Sequence, residues 1–497
     1  MKEQEFLQEV KEAELLGQAL GILGWDMQTG MPEAASEQRG AVSSYLNGLY
    51  FEKLVGAKMQ DALTYFEEHP SELSEVGLAV YHKVKEDYEL NQAVPSAKIV
   101  EFSAAKTAGH HAWQKARQTK DYADYQGALA ENIRLTKELI PLWKKEEATN
   151  YDVLLNQYEP GMTVEILDQV FGRLREGILE IRTQLAKGTP PRTDFIHRVV
   201  KKAQQERFVI QVIKELGFDF SRGRLDDTIH PFATGINHHD VRLTTRWHET
   251  DFTMGIFGVM HEAGHGMYEQ SVTEKYNYTP LHTGTSMGIH ESQSLFNELI
   301  IGGNRAFWKK QYPFFKECTQ GTFDDISFDD FYAALKFTKA SLIRIEADSL
   351  TYPLHIIIRY EIEKMIFNEE VAVEDLAQIW NDKYEEYLGI RPENDLEGIL
   401  QDVHWSEAMF GYFPSYALGF MYAAQLEHAI KKELDLDQVL ASDDYSRIKN
   451  WLTNHIHQYG AAKKPNQLIL AATGEALNPE YLISYLKDVY YPVYHVN

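Results

Sequence analysis

The stretch His261-Glu262-Ala263-Gly264-His265 constrains this 497-residue chain more than any other. Two imidazoles four residues apart share one face when the backbone is helical. The stretch therefore belongs in a helix, predicted to run from Met254 to about Glu269. On that helix the two rings can grip one metal ion together. Glu262 follows the first histidine by one residue, close enough to reach a water on the ion without being a ligand itself. Two histidine ligands, a carboxylate base and an open coordination position suit zinc hydrolysis.

Two histidines leave such an ion short of a protein ligand. His290-Glu291-Ser292-Gln293-Ser294 opens the next amphipathic segment, and Glu291 is the expected third ligand of a His₂Glu set. His290 is the rival, although neighbouring helical side chains diverge by about 100°. Glu298, two turns further on, is a candidate to orient a ligand imidazole. His238-His239 looks like another metal pair, but consecutive residues in a turn or strand are expected to point apart, which favours a loop or supporting role.

The rest of the chain reads as mainly α-helical. Phe6, Val10, Ala13, Leu16, Leu20 and Leu23 form one apolar stripe, with Trp25-Asp26 and Met31-Pro32 expected to break it. A second long helical stretch is predicted over about 36–67, with further helices opening at Pro70-Ser71 and Pro95-Ser96. Leu167, Val170, Leu174, Ile178, Ile181 and Leu185 form the clearest stripe, with Thr163 as its N-cap. Between about Gly217 and Trp247 helical periodicity fades. Asp240 to Trp247 alternates and reads as a strand beside the metal helix, with Asp240, Arg242 and Thr244 on one face. No break in composition marks a domain boundary, so one unit over 1–497 is expected, its metal-site core at about 236–300.

Composition narrows the partners. The net charge is −25, from 49 basic and 74 acidic residues; nucleic acid, which needs clustered Lys and Arg, is not an expected partner. The single cysteine, Cys318, permits no intrachain disulfide, is expected to be structural, and fits a reducing compartment. Met1 to Phe6 lacks the apolar region of a signal peptide, and no run approaches 18 apolar residues. No membrane association and a cytoplasmic location are the expectations.

Peptide hydrolysis also needs donors for the charge that develops on the scissile carbonyl. His404 and Tyr412 are candidates, in the stretches Gln401-Asp402-Val403-His404-Trp405 and Tyr412-Phe413-Pro414-Ser415-Tyr416. An enzyme acting at a peptide's C-terminus needs a fixed cation for the terminal carboxylate, and arginine's fork suits it. Arg344, with Asp348 one turn away to hold it, and Arg242 on the predicted strand are both candidates.

Together these motifs resemble the M32-family metallocarboxypeptidases. The resemblance rests on H-E-x-x-H at His261–His265, H-E-S-Q at His290–Gln293, D-x-R-x-T at Asp240–Thr244 and I-R-x-x-A-D at Ile343–Asp348. A fifth pattern, G-x-x-Q-D-x-H-W, is met by Gly398, Gln401, Asp402, His404 and Trp405. The order is that of the family and the length agrees, so the resemblance is effectively full-length. One departure is Leu295-Phe296-Asn297-Glu298, where many members carry an Arg-Leu-Trp-Glu-like run.

The resemblance implies two helical lobes around a deep active-site groove, with a small β-sheet beside the metal-binding helix, similar to neurolysin and angiotensin-converting enzyme. It also implies a homodimer and one divalent ion per chain, Zn²⁺ or in its place Co²⁺. The implied activity is broad-specificity removal of C-terminal residues from peptides, stopping at proline. It carries the metal ligands to His261, His265 and Glu291, the base to Glu262, the peptide-terminus arginines to Arg242 and Arg344, and the transition-state donors to His404 and Tyr412. Two rival readings use the same residues: an oligopeptidase cutting inside short peptides, and a helical protein that captures peptides without cleaving them.

Overall fold

A computed structural model describes residues 2–496. Helices run almost from end to end, from Glu3–Thr29 to Glu480–Tyr494. One contiguous apolar cluster extends along the chain from Phe6 to Tyr494.

The clearest predicted stripe forms the helix Val164–Leu185. Thr163 caps it by accepting the Ile166 amide at 3.3 Å, and its six apolar positions are all buried. The first helix departs from expectation. Trp25-Asp26 lie inside it, because Asp26 pairs with Arg39 at 2.6 Å and the chain turns only at Gly30. The predicted helical stretch over 36–67 is two helices, Ser36–Val55 and Ala57–Glu68, parted at Gly56. A Cβ there would meet the Glu52 carbonyl oxygen at 2.3 Å. Pro70–Glu72 forms only a 3₁₀ turn, and Ser74 caps the helix that follows.

The stretch of faded periodicity folds into a three-stranded sheet. β1 (Gly223–Asp227), β2 (Ala233–Asn237) and β3 (Asp240–Thr245) lie in the order β1-β3-β2. β3 is central, parallel to β1 and antiparallel to β2, with Arg242 beside Arg224 and Thr234. Val241 and Leu243 are fully buried, and the sheet packs on the motif helix Phe252–Ser271. A Cβ on Gly266 of that helix would meet Leu243 at 2.8 Å, so a glycine there lets the helix press onto the central strand. Cys318 is buried and unpaired, as a packing residue would be.

Candidate metal centre

Two capped helices bring the motif residues together. The motif helix starts at Phe252, with Asp251 accepting the Thr253 amide at 3.2 Å. The second, Met287–Leu295, is capped by Ser286, which accepts the Ile289 amide at 3.1 Å. Glycine permits their close crossing: a Cβ on Gly264 would meet the Gln293 carbonyl oxygen at 2.3 Å. On the far side, the helix Pro414–Lys431 approaches so closely that a Cβ on Gly419 would meet the Glu291 Cγ at 2.5 Å. Glu291 is thereby wedged between helices.

The outcome is a three-residue cluster. His261 Nε2 lies 3.7 Å from Glu291 Oε1, and His265 Nε2 lies 3.8 Å from Glu291 Oε2. One ligand atom from each of the three sits within 4.8 Å of the others. Glu262 is buried beside the cluster and outside it. Burial lifts its carboxyl to about 7, with Glu291 and Glu298 adding to the effect against His261.

The outer face of each imidazole is also fixed. His261 Nδ1 meets Glu298 Oε2 at 2.7 Å. Glu298 lies in a π-helical stretch, Phe296–Ile301, that continues the Glu291 helix; such a bulge re-aims side chains. His265 Nδ1 meets His290 Nδ1 at 2.7 Å, and His290 Nε2 meets Glu269 Oε1 at 2.7 Å. With both Nε2 atoms turned to the cluster, His265 donates to His290, and His290 donates to Glu269. His290 therefore stands behind a ligand imidazole, outside the three-residue cluster. Glu269, also held by Thr283 at 2.8 Å, was missed in the sequence although it lies four residues after His265, on the same helical face.

These donors fit a divalent cation. Burial alone would push His261 down, yet Glu291, Glu298 and Glu262 override it and lift it to about 10. The carboxylates draw positive charge to that point, which a metal ion supplies in place of a proton. His265, depressed by burial and then by His290 and His261, keeps its ring neutral and able to ligate.

A second group adjoins the cluster. Arg344 is buried in a 3₁₀ turn, Arg344–Glu346. Its Nε donates to Asp402 Oδ1 at 2.8 Å and its Nη1 to the Tyr352 hydroxyl at 2.8 Å. Arg359, fully buried, donates Nε to the other Asp402 oxygen at 2.6 Å. Burial would raise Asp402, but the two guanidiniums hold it well below the usual carboxylate range. His404 Nε2 lies 3.3 Å from the Tyr416 hydroxyl, and the Tyr412 ring is 5.5 Å from that of His404. Burial, only partly offset by Asp402, lowers His404 to about 4, so its imidazole is neutral at neutral pH. Arg242 is placed differently: it forks onto Asp240 with two bonds of 2.8 Å and lies over Trp25, 4.6 Å from that ring's centroid.

Residues 5–490 match the family described as "Carboxypeptidase Taq (M32) metallopeptidase". The chain belongs to the M32 metallocarboxypeptidase family. It is 44% identical to Carboxypeptidase 1 of Bacillus subtilis, across 99% of this chain and 98% of that protein. It is 34% identical to Thermostable carboxypeptidase 1 of Thermus thermophilus, across 99% and 98%. The crystal structure of an M32 carboxypeptidase from Deinococcus radiodurans superposes with a TM-score of 0.95 at 34% identity, covering 99% of both chains.

Two expectations for this M32 chain are corrected. Asp348 does not hold Arg344. It accepts the amides of Lys339, Leu350 and Thr351, each at 3.0 Å, because Arg344 sits in a tight turn and its side chain leaves toward Asp402. His238 and His239, in the tight turn joining β2 to β3, do not point apart; their ring centroids are 4.3 Å apart, with both Nε2 atoms drawn to the Glu274 carboxylate. Arg359 and Tyr352 were missed. Arg359 had a signal, a lone cation in the apolar run Leu354-His355-Ile356-Ile357-Ile358; Tyr352 had none.

Proposed function

We propose that this M32 enzyme hydrolyses the last peptide bond of its substrates with broad specificity, acting as one catalytic unit over 1–497. The observation that carries the reading is the convergence of His261, His265 and Glu291 with Glu262 left free and buried beside them. These three residues would hold a divalent ion, Zn²⁺ or in its place Co²⁺, since imidazole and carboxylate suit either. Once bound, the ion supplies Lewis-acid polarisation and a water of lowered pKa.

Glu262, buried beside the three ligand residues and not one of them, takes a proton from the attacking water and returns it to the leaving amine. His404, neutral, and Tyr412 donate to the oxygen on which charge develops. Glu298 and the His290–Glu269 pair hold the ligand rings in one orientation.

Charge stoichiometry supports Arg344 as the anchor of the substrate's carboxylate. Arg344 and Arg359 share a single carboxylate, Asp402, which leaves one positive charge in excess. Arg344 also has five N–H donors, not all of them engaged. Arg242 is matched one to one by Asp240 and serves as a secondary contact. A cytoplasmic location, suggested by the lone cysteine that fits a reducing compartment, and a homodimer, suggested by the family resemblance, complete the proposal. No helix among the described residues is long and apolar enough to cross a membrane.

The test is a mass-spectrometric time course on peptides of graded length, with chelation and metal add-back. The expected result is a metal-dependent ladder that shortens by one residue at a time from the C-terminus. Internal fragments would favour an oligopeptidase, and intact peptide a capture protein. Light scattering would check the dimer.

A further inference from the structure

Among the described residues, one other group of side chains, away from the centre described above, has the donors of a transition-metal site. His238 and His239 are the two turn residues between β2 and β3. Glu274 opens the 3₁₀ turn that follows the motif helix. The Asn237 side chain accepts the His239 amide at 2.9 Å, and the turn sets the two rings at 51° to each other. Both Nε2 atoms face one oxygen of Glu274, His238 from 4.0 Å and His239 from 3.8 Å. One donor atom from each residue lies within 4.8 Å of the other two.

A separate observation points to a ligand. His238 is only 2% exposed, and neither of its ring nitrogens has a hydrogen-bond partner. A desolvated polar atom with no partner is costly, and native structures rarely leave one. Burial first, then His239 and Arg222, hold His238 below its ordinary value, so its ring is neutral with a lone pair to give. Arg222 is a neighbouring cation, its Nη1 donating to the His238 carbonyl at 3.4 Å. Its charge is met by Asp219 at 2.8 Å, and it donates to the Gln270 carbonyl at 3.1 Å. His282, the other neighbouring titratable group, faces Glu14 at 3.5 Å.

We propose that His238, His239 and Glu274 form a second cation site that takes a borderline divalent transition ion, with Zn²⁺ as the type. Two imidazoles and one carboxylate favour such ions over Ca²⁺ or Mg²⁺. Bonds of roughly 2.0 Å at tetrahedral angles need donor separations of about 3.3 Å. Glu274 is exposed and can close the remaining distance by a rotamer change. The ion would clip the β2–β3 turn to the chain just past Ser271, where the motif helix ends. It stands apart from the peptidase chemistry and does not depend on it.

Zn²⁺ binding by the full-length protein tests this, with bound metal counted after equilibrium dialysis against buffered Zn²⁺. Wild type should hold two ions per chain, His239→Ala/Glu274→Gln one, His261→Ala/His265→Ala one, and the fourfold variant none. Zn²⁺ should also raise the Tm of His261→Ala/His265→Ala and leave that of the fourfold variant unmoved. His239 and Glu274 are exposed, so their variant should fold and keep wild-type peptidase activity. One ion in wild type, or two retained in His239→Ala/Glu274→Gln, would overturn the site. If the His261/His265 variant fails to fold, the comparison of wild type with His239→Ala/Glu274→Gln decides alone.

Discussion

The two halves of the candidate active site are built in different ways. The metal half rides on regular helix: His261, Glu262 and His265 on one, Glu291 on the next. The anion half hangs on a 3₁₀ turn and irregular chain, with Arg344 and His404 in short turns and Asp402 in none. Helical spacing puts the first half's side chains on the right faces, and neutral or singly charged partners behind the rings, Glu298 and the His290–Glu269 pair, fix their orientation. The second half is pinned by buried charge, with one carboxylate set between two guanidiniums. A rigid element can carry the reacting groups, whereas a loop needs an internal ion network to hold a charged side chain still.

The sharpest way to break this contrast is in the metal half. Glu262→Gln should retain the bound ion and lose kcat by on the order of 10³-fold or more. Near-normal turnover by metal-loaded protein would remove the base from the account. In the anion half, Asp402→Asn should strike folding first. It leaves Arg344 and Arg359 buried without a counter-charge, a loss of about 3–5 kcal/mol that denaturant melts would read. An unchanged midpoint would mean that the network does not pin the loops.

The halves should also differ in how pH reaches them. Glu159 is buried, and its carboxylate accepts the Gly288 amide at 2.9 Å in the first turn of the Glu291 helix. Burial lifts it from 4.5 to about 7. The folded state therefore holds a proton that the unfolded state releases, and stability falls as pH rises from about 4.5 to about 7. The loss is at most about 3 kcal/mol. Glu159→Gln should flatten that fall, seen in denaturation at pH 5, 6 and 7; a slope equal to wild type would exclude Glu159 as its source. Asp402, depressed rather than raised, contributes stability that is lost only as pH falls through the acid range.

The smaller effects separate the two arginines. Arg344→Ala should raise KM roughly 10- to 100-fold, the worth of charged hydrogen bonds, and erase discrimination against C-terminally amidated peptides. Asp402 keeps Arg359 as partner, so the fold should survive. Arg242→Ala should change KM by about threefold or less. The reverse ranking would move the anchor to β3.

Much of this was legible because it is local. The helix around His261–His265, the Thr163 cap and the strand at Asp240 each follow from periodicity and capping, which act over a few residues. Glu298 could be singled out by its spacing, although the π-helical turn that aims it could not. The Glu269–His290–His265 chain was hidden because it depends on how two helices cross, a close approach that Gly264 permits.

The sequence by itself determined which residues are candidates for the chemistry and most of the stretches that are helical, since residue type and period are written along the chain. Only the tertiary structure decided who faces whom. It gave Arg344 to Asp402 rather than Asp348, and it turned His238 toward His239. The reason is that partners across elements are chosen by packing and by the need to neutralise buried charge, and neither acts through neighbours in sequence.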